Sequence, residues 1–78
     1  MDRVSEEFLE ILRFIYKQNN LGNNPSYSKV GEELRVSRPT LRKRVKQLLA
    51  TGYLIERPIG KTKLLELSSK GVSLFLTK

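Results

Sequence analysis

The sequence predicts a small α+β domain in which three helices precede a β-hairpin, with a tail that can form a further short helix. Apolar residues recur at helical spacing up to Leu49, and the spacing becomes that of extended strands after Gly52. Only residues 35–37 separate the second helix from the third, which leaves room for a sharp turn. A chain of 78 residues buries one small core, so we expect a single domain over residues 1–78.

The first helix is predicted over residues 6–18. Ser5 is placed to cap it, and Glu6 and Glu7 lie in the first turn, where the helix dipole favours acidic side chains. One apolar stripe at helical spacing indicates the buried face: Phe8, Ile11, Leu12, Ile15 and Tyr16. The following segment, NNLGNNP, is rich in turn-forming residues and predicts a loop that ends at Pro25.

The second and third helices are predicted to begin after Ser26 and Ser37, which can cap their N-termini. Gly31 is unfavourable inside an isolated helix, so it indicates that another helix crosses closely there. Pro39 is tolerated in the first turn of the third helix, and Gly52 lies where a C-terminal cap is expected. The apolar stripe of the third helix consists of Leu41, Val45, Leu48 and Leu49.

The segment after Gly52 predicts a β-hairpin. Two runs rich in strand-forming residues, YLIER and KLLEL, flank PIGKT, in which Pro58 and Gly60 predict one of the longer turns. The tail can start another helix at Ser68, although Gly71 disfavours it.

Positive charge is concentrated in the second half of the chain. The whole sequence has a formal net charge of +7, whereas residues 1–36 carry −1 and residues 37–78 carry +8. Glu56 and Glu66 are the only acidic residues of that second half. Such asymmetry indicates a polyanionic partner, either nucleic acid or an anionic membrane, and charge alone does not decide between them.

Composition excludes several classes of site. Because cysteine is absent, the chain has no disulfide and no thiolate ligand. Because histidine is absent, it also lacks the commonest general base. We therefore expect no catalytic residue, no metal site and no cofactor. No apolar run approaches the roughly 18 residues of a membrane-spanning helix. The N-terminus MDRVSEEF is acidic where a signal peptide is basic, so we expect a cytoplasmic location, on the nucleoid or in a host cell.

The order of two helices, a tight turn, a basic helix and a hairpin is similar to that of winged helix-turn-helix domains. The stretch PSYSKVGEELRVSRPTLRKRVKQLLATGYLIERPIGKTKLLELSSKG resembles the DNA-binding domains of the MarR and DtxR families and of the LexA repressor. Gly31, the Val36-Ser37 pair and the GYLI run carry the resemblance. Arg35 departs from it, because these families often have a left-handed glycine there. The resemblance implies a winged helix that binds double-stranded DNA, and it extends to lone winged-helix proteins of archaeal plasmids and viruses.

The third helix supplies most of the predicted DNA contacts. We expect the helix over residues 38–51 to enter the major groove with the face opposite its apolar stripe. That face carries Pro39, Thr40, Lys43, Lys46 and Gln47, with Arg42 and Arg44 at its flanks.

Base contacts are expected from four residues. Arg38 and Arg42 have the reach and geometry to bind guanine. Gln47 can pair with adenine, and the Thr40 methyl group can contact a thymine methyl. The residues expected at phosphates are Ser37, Lys43, Arg44 and Lys46.

The hairpin supplies the remaining contacts. Arg57, Lys61 and Lys63 surround its turn, and we expect residues 57–63 to lie on the adjacent DNA backbone or minor groove.

The function expected from these features is that of a sequence-specific transcriptional regulator. A single module makes few base contacts, so we expect a homodimer that uses the first helix and the tail. Apolar residues without an obvious partner indicate either that interface or an additional cluster within the monomer: Phe14, Leu74, Phe75 and Leu76.

Three alternatives remain open. The chain can be a replication, partition or architectural DNA binder, or a winged-helix module that binds another protein. Peripheral membrane binding ranks last, because the basic helix already uses its apolar stripe for the core.

Overall fold

The two spacings of apolar residues produce four helices and one antiparallel hairpin in the computed structural model, which describes residues 4–76. The elements, in chain order, are α1 (Glu6–Asn20), α2 (Tyr27–Leu34), α3 (Arg38–Ala50), β1 (Leu54–Ile59), β2 (Thr62–Leu67) and α4 (Ser69–Leu76). The ends of the predicted domain, residues 1–3 and 77–78, lie outside the described residues. No helix between residues 4 and 76 is long and apolar enough to cross a membrane.

The core lies between α1, α2, α3 and the root of the hairpin. Of the stripe predicted on α1, Ile11, Leu12 and Ile15 are buried, and Phe8 and Tyr16 pack against them from the edge. The remaining buried apolar residues are Val30, Leu41, Val45, Leu48, Leu54, Leu65 and Leu67. The predicted stripe of α3 is confirmed, with Leu49 only half-buried. Burying one such side chain stabilises a fold by about 1.5–3 kcal/mol, so this cluster holds the helices and the hairpin together.

The helix-turn-helix angle is set at the end of α2. Arg35 has φ 56° and ψ 45°, the left-handed conformation usually left to glycine, and the Val36 amide donates to the Gly31 carbonyl 3.0 Å away. A Cβ on Gly31 would lie 3.2 Å from the Val36 carbonyl oxygen and 3.4 Å from Leu41 Cδ2. The predicted close crossing at Gly31 is confirmed.

The end of α3 directs the chain into the hairpin. Gly52 has φ 87° and follows the C-cap Thr51, as predicted. The Gly52 amide donates to the Leu49 carbonyl and the Tyr53 amide to the Leu48 carbonyl, the pair of bonds that defines a Schellman motif. At α1 the equivalent turn comes at Gly22, which is why that helix continues to Asn20 and passes the predicted end at residue 18.

The hairpin turn is tighter than predicted. β1 and β2 pair up to Ile59 opposite Thr62, so the turn consists of Gly60 and Lys61, and Pro58 lies inside β1 opposite Lys63. Gly60 has φ 62° at the first central position, as a type II′ turn requires. Proline is tolerated in β1 because this is an edge strand.

The root of the hairpin is joined to the start of α2. Ser26 forms an isolated bridge with Leu64, and the Leu65 amide donates to the Pro25 carbonyl at 2.8 Å. The Leu67 amide donates to the Asn19 side-chain oxygen at 2.9 Å. These bonds fix the hairpin relative to the helix-turn-helix.

The tail forms α4, which the sequence left undecided. Gly71 is buried, and a Cβ there would lie 2.3 Å from the Tyr53 carbonyl oxygen, so a glycine is what allows α4 to dock. Phe75 stacks on Tyr16 with ring centroids 4.7 Å apart and 14° between the planes. Phe14 and Leu74 also pack against the core, so three of the four apolar residues without an obvious partner have one within the monomer, whereas Leu76 is exposed.

Candidate nucleic-acid interface

A cleft between α3 and the hairpin brings together cations that are distant in sequence. Arg38, Arg42 and Lys46 line it from α3, and Lys61 and Lys63 line it from the hairpin. The three α3 residues are four apart and therefore form one row along the helix. We call this feature the cationic cleft.

The start of α2 forms one end of the cationic cleft. Ser26 and Ser28 line it, and Arg38 donates from Nη2 to Ser28 Oγ at 2.9 Å. Ser28 was not predicted as a site residue, because nothing in the sequence indicates which α2 residue faces the start of α3.

One carboxylate lies among these cations. Glu56 of β1 lines the cationic cleft, and the Tyr27 hydroxyl donates a hydrogen bond to its Oε2. Burial raises the pKa of Tyr27 well above its ordinary value, and the hydrogen bond and negative charge of Glu56 raise it further, against a smaller lowering by Arg42. Tyr27 therefore remains a neutral hydrogen-bond donor to the Glu56 side chain.

The exposed face of α3 lies beside the cationic cleft. Pro39, Lys43 and Lys46 are exposed along it, as the helical projection predicts. Arg44 is half-buried at a flank. Lys43 and Lys46 thus point ammonium groups away from the core.

The start of α3 differs from the prediction in one detail. Ser37 occupies the N-cap position, but its side chain does not bind a backbone amide of the first turn. Its hydroxyl instead donates to Thr40 Oγ1 at 3.0 Å.

Gln47 lies away from the cationic cleft. It lines a second cavity with Ser5 and Phe8 near the start of α1, on the other flank of α3. Gln47 and Arg42 therefore do not face the same groove of the molecule.

The three predicted hairpin residues lie on two different faces of the wing. Lys61 and Lys63 line the cationic cleft, whereas Arg57 alternates with Glu56 along β1 and so projects from the opposite face. Arg57 Nε lies 2.5 Å from Glu66 Oε1 in a salt bridge. Its charge is thus already compensated on the strand beside it.

The described residues contain no metal centre of the usual kind. Between residues 4 and 76, no group of three or more acidic side chains could hold a metal ion.

Comparison with known proteins identifies the fold by structure. No protein-family profile matches the chain, and no curated protein matches it by sequence. Among solved structures it is similar to a protein from Archaeoglobus fulgidus, at 22% identity and a TM-score of 0.83 over 91% of this chain and 78% of that one.

Two further structures come from proteins whose roles are named. One is MepR of Staphylococcus aureus in complex with DNA, at 15% identity and a TM-score of 0.82 over 91% of this chain. The chain spans about half of MepR, 51% of its length. The other is the type III plasmid segregation protein TubR, at 21% identity and a TM-score of 0.62 over 97% of this chain and 88% of that one. The chain therefore has a winged helix-turn-helix fold that resembles the MarR fold, with α2 and α3 as the helix-turn-helix and β1–β2 as the wing.

Proposed function

We propose that this chain binds double-stranded DNA, with α3 in the major groove and the wing on the adjacent backbone or minor groove. The observation that carries the proposal is the cationic cleft, in which two separate elements place five cations around one concave surface. Like charges repel one another in the free protein, and a polyanion in the cleft removes that repulsion.

The shape of this surface suits a duplex. A major groove about 12 Å wide admits a helix, and the exposed face of α3 would then lie towards the base edges. The DNA strand that borders the groove would run through the cationic cleft, between Arg38 on one side and Lys61 on the other.

We further propose that the chain is a sequence-specific transcriptional regulator. Arg42 supports this, because its guanidinium can bind guanine in the groove while Lys43 and Lys46 bind phosphates. The likeness to MepR, a transcription regulator whose complex with DNA has been solved, also supports it.

Binding to random and to genome-selected duplexes over a range of salt concentrations tests both proposals. A regulator should prefer a selected sequence by a factor of about 10³ or more, and Arg42→Ala should reduce that factor. Lys43→Ala should weaken binding to all duplexes alike. Arg13→Ala, which removes an exposed cation from α1 two helical turns before Leu21, is the matched control and should change nothing.

Two results would contradict the proposals. Equal binding to every duplex, with affinity lost as salt rises, would identify a binder of the DNA backbone. No duplex binding at low salt would exclude DNA and favour a protein partner, in which case reversing the charges of Arg42 and Lys43 would leave the biological activity intact.

A second candidate function is DNA segregation. The likeness to TubR favours it, because that match includes nearly the whole of both chains. Footprinting on the selected DNA separates the candidates: we expect a segregation protein to protect a row of regularly repeated sites, and a promoter regulator a single site.

We also propose that the chain acts as a homodimer through α1 and α4. Leu21 and Leu76, at the C-terminal ends of these helices, are 73% and 63% exposed, and the Tyr16–Phe75 stack holds the two helices together. Sedimentation equilibrium should show a dimer that Leu76→Ser weakens. A monomer at the concentrations that saturate DNA would contradict this proposal.

A further inference from the structure

The basic half of the chain contains two carboxylates, and the fold uses them differently. Glu66 pairs with Arg57 on the outer face of the wing, outside the cationic cleft. Glu56 lies inside the cationic cleft, where its partner is the neutral hydroxyl of Tyr27. Glu66 therefore compensates a cation, whereas Glu56 keeps its full negative charge among cations.

The register of the wing places Glu56 deep in the cationic cleft. Lys63 pairs with Pro58, two residues nearer the turn than Glu56, which pairs with the buried Leu65. Lys61 lies at the turn itself. On the wing side of the cationic cleft, the two lysines therefore lie near the rim and Glu56 lies near the floor.

The carboxylate is held in that place. Tyr27 is half-buried and packs against the core, and its hydroxyl joins the first turn of α2 to β1. Because Glu56 accepts this bond, it is restrained from turning away when a phosphate approaches. Every phosphate that enters the floor of the cleft therefore meets a fixed negative charge at short range.

Such a charge opposes simple phosphate binding. A protein that bound DNA only by neutralising phosphates would bind more tightly with a neutral residue at position 56. Specificity, in contrast, is a difference between affinities, and a repulsive group raises it when the wrong complexes meet that group more often than the right one.

We propose that Glu56 is a specificity-determining residue and Tyr27 the residue that positions it, an inference that rests on the proposed DNA binding. A duplex docked in its specific register keeps its phosphates at the rim, near Arg38, Lys61 and Lys63. Duplexes of random sequence sample many registers, including those that bring a phosphate against Glu56. The carboxylate therefore weakens random binding more than specific binding.

The decisive variant is Glu56→Gln, because glutamine has nearly the same shape and its amide oxygen can still accept the Tyr27 hydrogen bond. Affinity for random duplex should rise about three- to tenfold at low salt, and affinity for the selected duplex should rise much less. Glu66→Gln is the matched control, since it removes one negative charge from the same half of the chain. It should shift both affinities equally and leave their ratio unchanged.

Tyr27→Phe tests the positioning role. Without the hydroxyl the carboxylate is free to turn away, so the ratio of selected to random affinity should fall as it does in Glu56→Gln. Thermal unfolding of each variant verifies that the protein is folded, and loss of stability alone would not change this ratio.

The outcomes are separable. If the wild type binds no duplex, the proposed function itself is wrong and this inference falls with it. If the wild type prefers a selected duplex but Glu56→Gln keeps the wild-type ratio, or changes it no more than Glu66→Gln does, DNA binding stands and the role of Glu56 is wrong. A wild type that binds all duplexes alike also overturns that role.

Discussion

Arg35 holds a side chain in left-handed backbone at the turn between α2 and α3. Such a conformation costs a residue other than glycine about 1–3 kcal/mol. Glycine avoids this cost, but part of the gain is lost because glycine also has more conformational freedom in the unfolded chain. We predict that Arg35→Gly raises the free energy of unfolding by about 1 kcal/mol. Urea unfolding measures this.

The control for Arg35 is alanine. Arg35→Ala removes the same charge but keeps a Cβ in the left-handed region, so it should not stabilise the protein. Equal stability of the two variants would assign any gain to the lost charge instead of the relieved backbone.

Tyr27 gives the stability a dependence on alkaline pH. Its pKa is raised in the folded state, so its contribution is fully present below the unfolded pKa of about 10 and is lost as pH rises from there through the folded pKa. Tyr27→Phe should cost about 1 kcal/mol near neutral pH because the hydrogen bond to Glu56 is lost. This cost should shrink above about pH 10.

Urea unfolding of both proteins at several pH values measures the Tyr27 effect. Lysines titrate in the same range but contribute to both proteins, so the difference between the two curves reports Tyr27. A cost that stays constant across the range would contradict the prediction.

At single positions, the sequence predicts residues whose role depends on the local backbone. Gly31, Gly52 and the departure at Arg35 have the predicted roles, because helix ends and close crossings restrict backbone angles and side-chain size directly. Arg57 and Glu56 could not be assigned in this way. Which face of the wing each occupies depends on a register that is set by the two-residue turn.

Among the elements, α4 depends most on a single residue. A Cβ on Gly71 would overlap the Tyr53 carbonyl, which already accepts the Ser68 amide. We predict that Gly71→Ala destabilises the protein by about 1–3 kcal/mol through overpacking, although alanine is the better helix former. Thermal unfolding measures this, and Ser69→Ala, at an exposed position of the same helix, is the control and should change stability little.

Gly71 also shows why an element can be missed from sequence. Helix propensity counts glycine against a helix, and only the packed structure shows that the missing side chain makes room for a carbonyl. The wing was predicted as a hairpin for the opposite reason, because runs of strand-forming residues and a turn that contains glycine are local signals. Its exact turn was missed, since Pro58 is compatible with an edge strand as well as a turn.

At the scale of the whole molecule, charge placement decides how binding should depend on salt. For the proposed DNA binding, the five cations placed at phosphates predict a slope of log Kobs against log salt of about −4.5, at about −0.9 for each phosphate neutralised: Arg38, Lys43, Lys46, Lys61 and Lys63. The double variant Lys61→Ala, Lys63→Ala should make the slope shallower by about 2. Arg57→Ala should change it less than either lysine does, because Glu66 already pairs with Arg57. Equal effects of Arg57 and Lys61 would contradict the division of the wing into two faces.

Net charge by itself predicts only part of this surface. The excess of cations after Val36 correctly indicates the side of the molecule that carries the cationic cleft. Lys70 belongs to the same half, yet its ammonium donates to the Thr51 carbonyl at 2.7 Å and lies 4.5 Å from the Tyr53 ring centroid. That lysine joins α4 to the end of α3. This role depends on tertiary packing, so a count of charged residues cannot predict it.

The edge strand β1 has a consequence for crowded solutions. In the described residues its one ladder partner is β2, so the outer backbone groups of β1 could template an intermolecular sheet with another chain. Pro58 has no amide hydrogen, and its ring interrupts such a ladder near the turn end of the strand. Pro58 therefore opposes intermolecular pairing of β1 at high protein concentration.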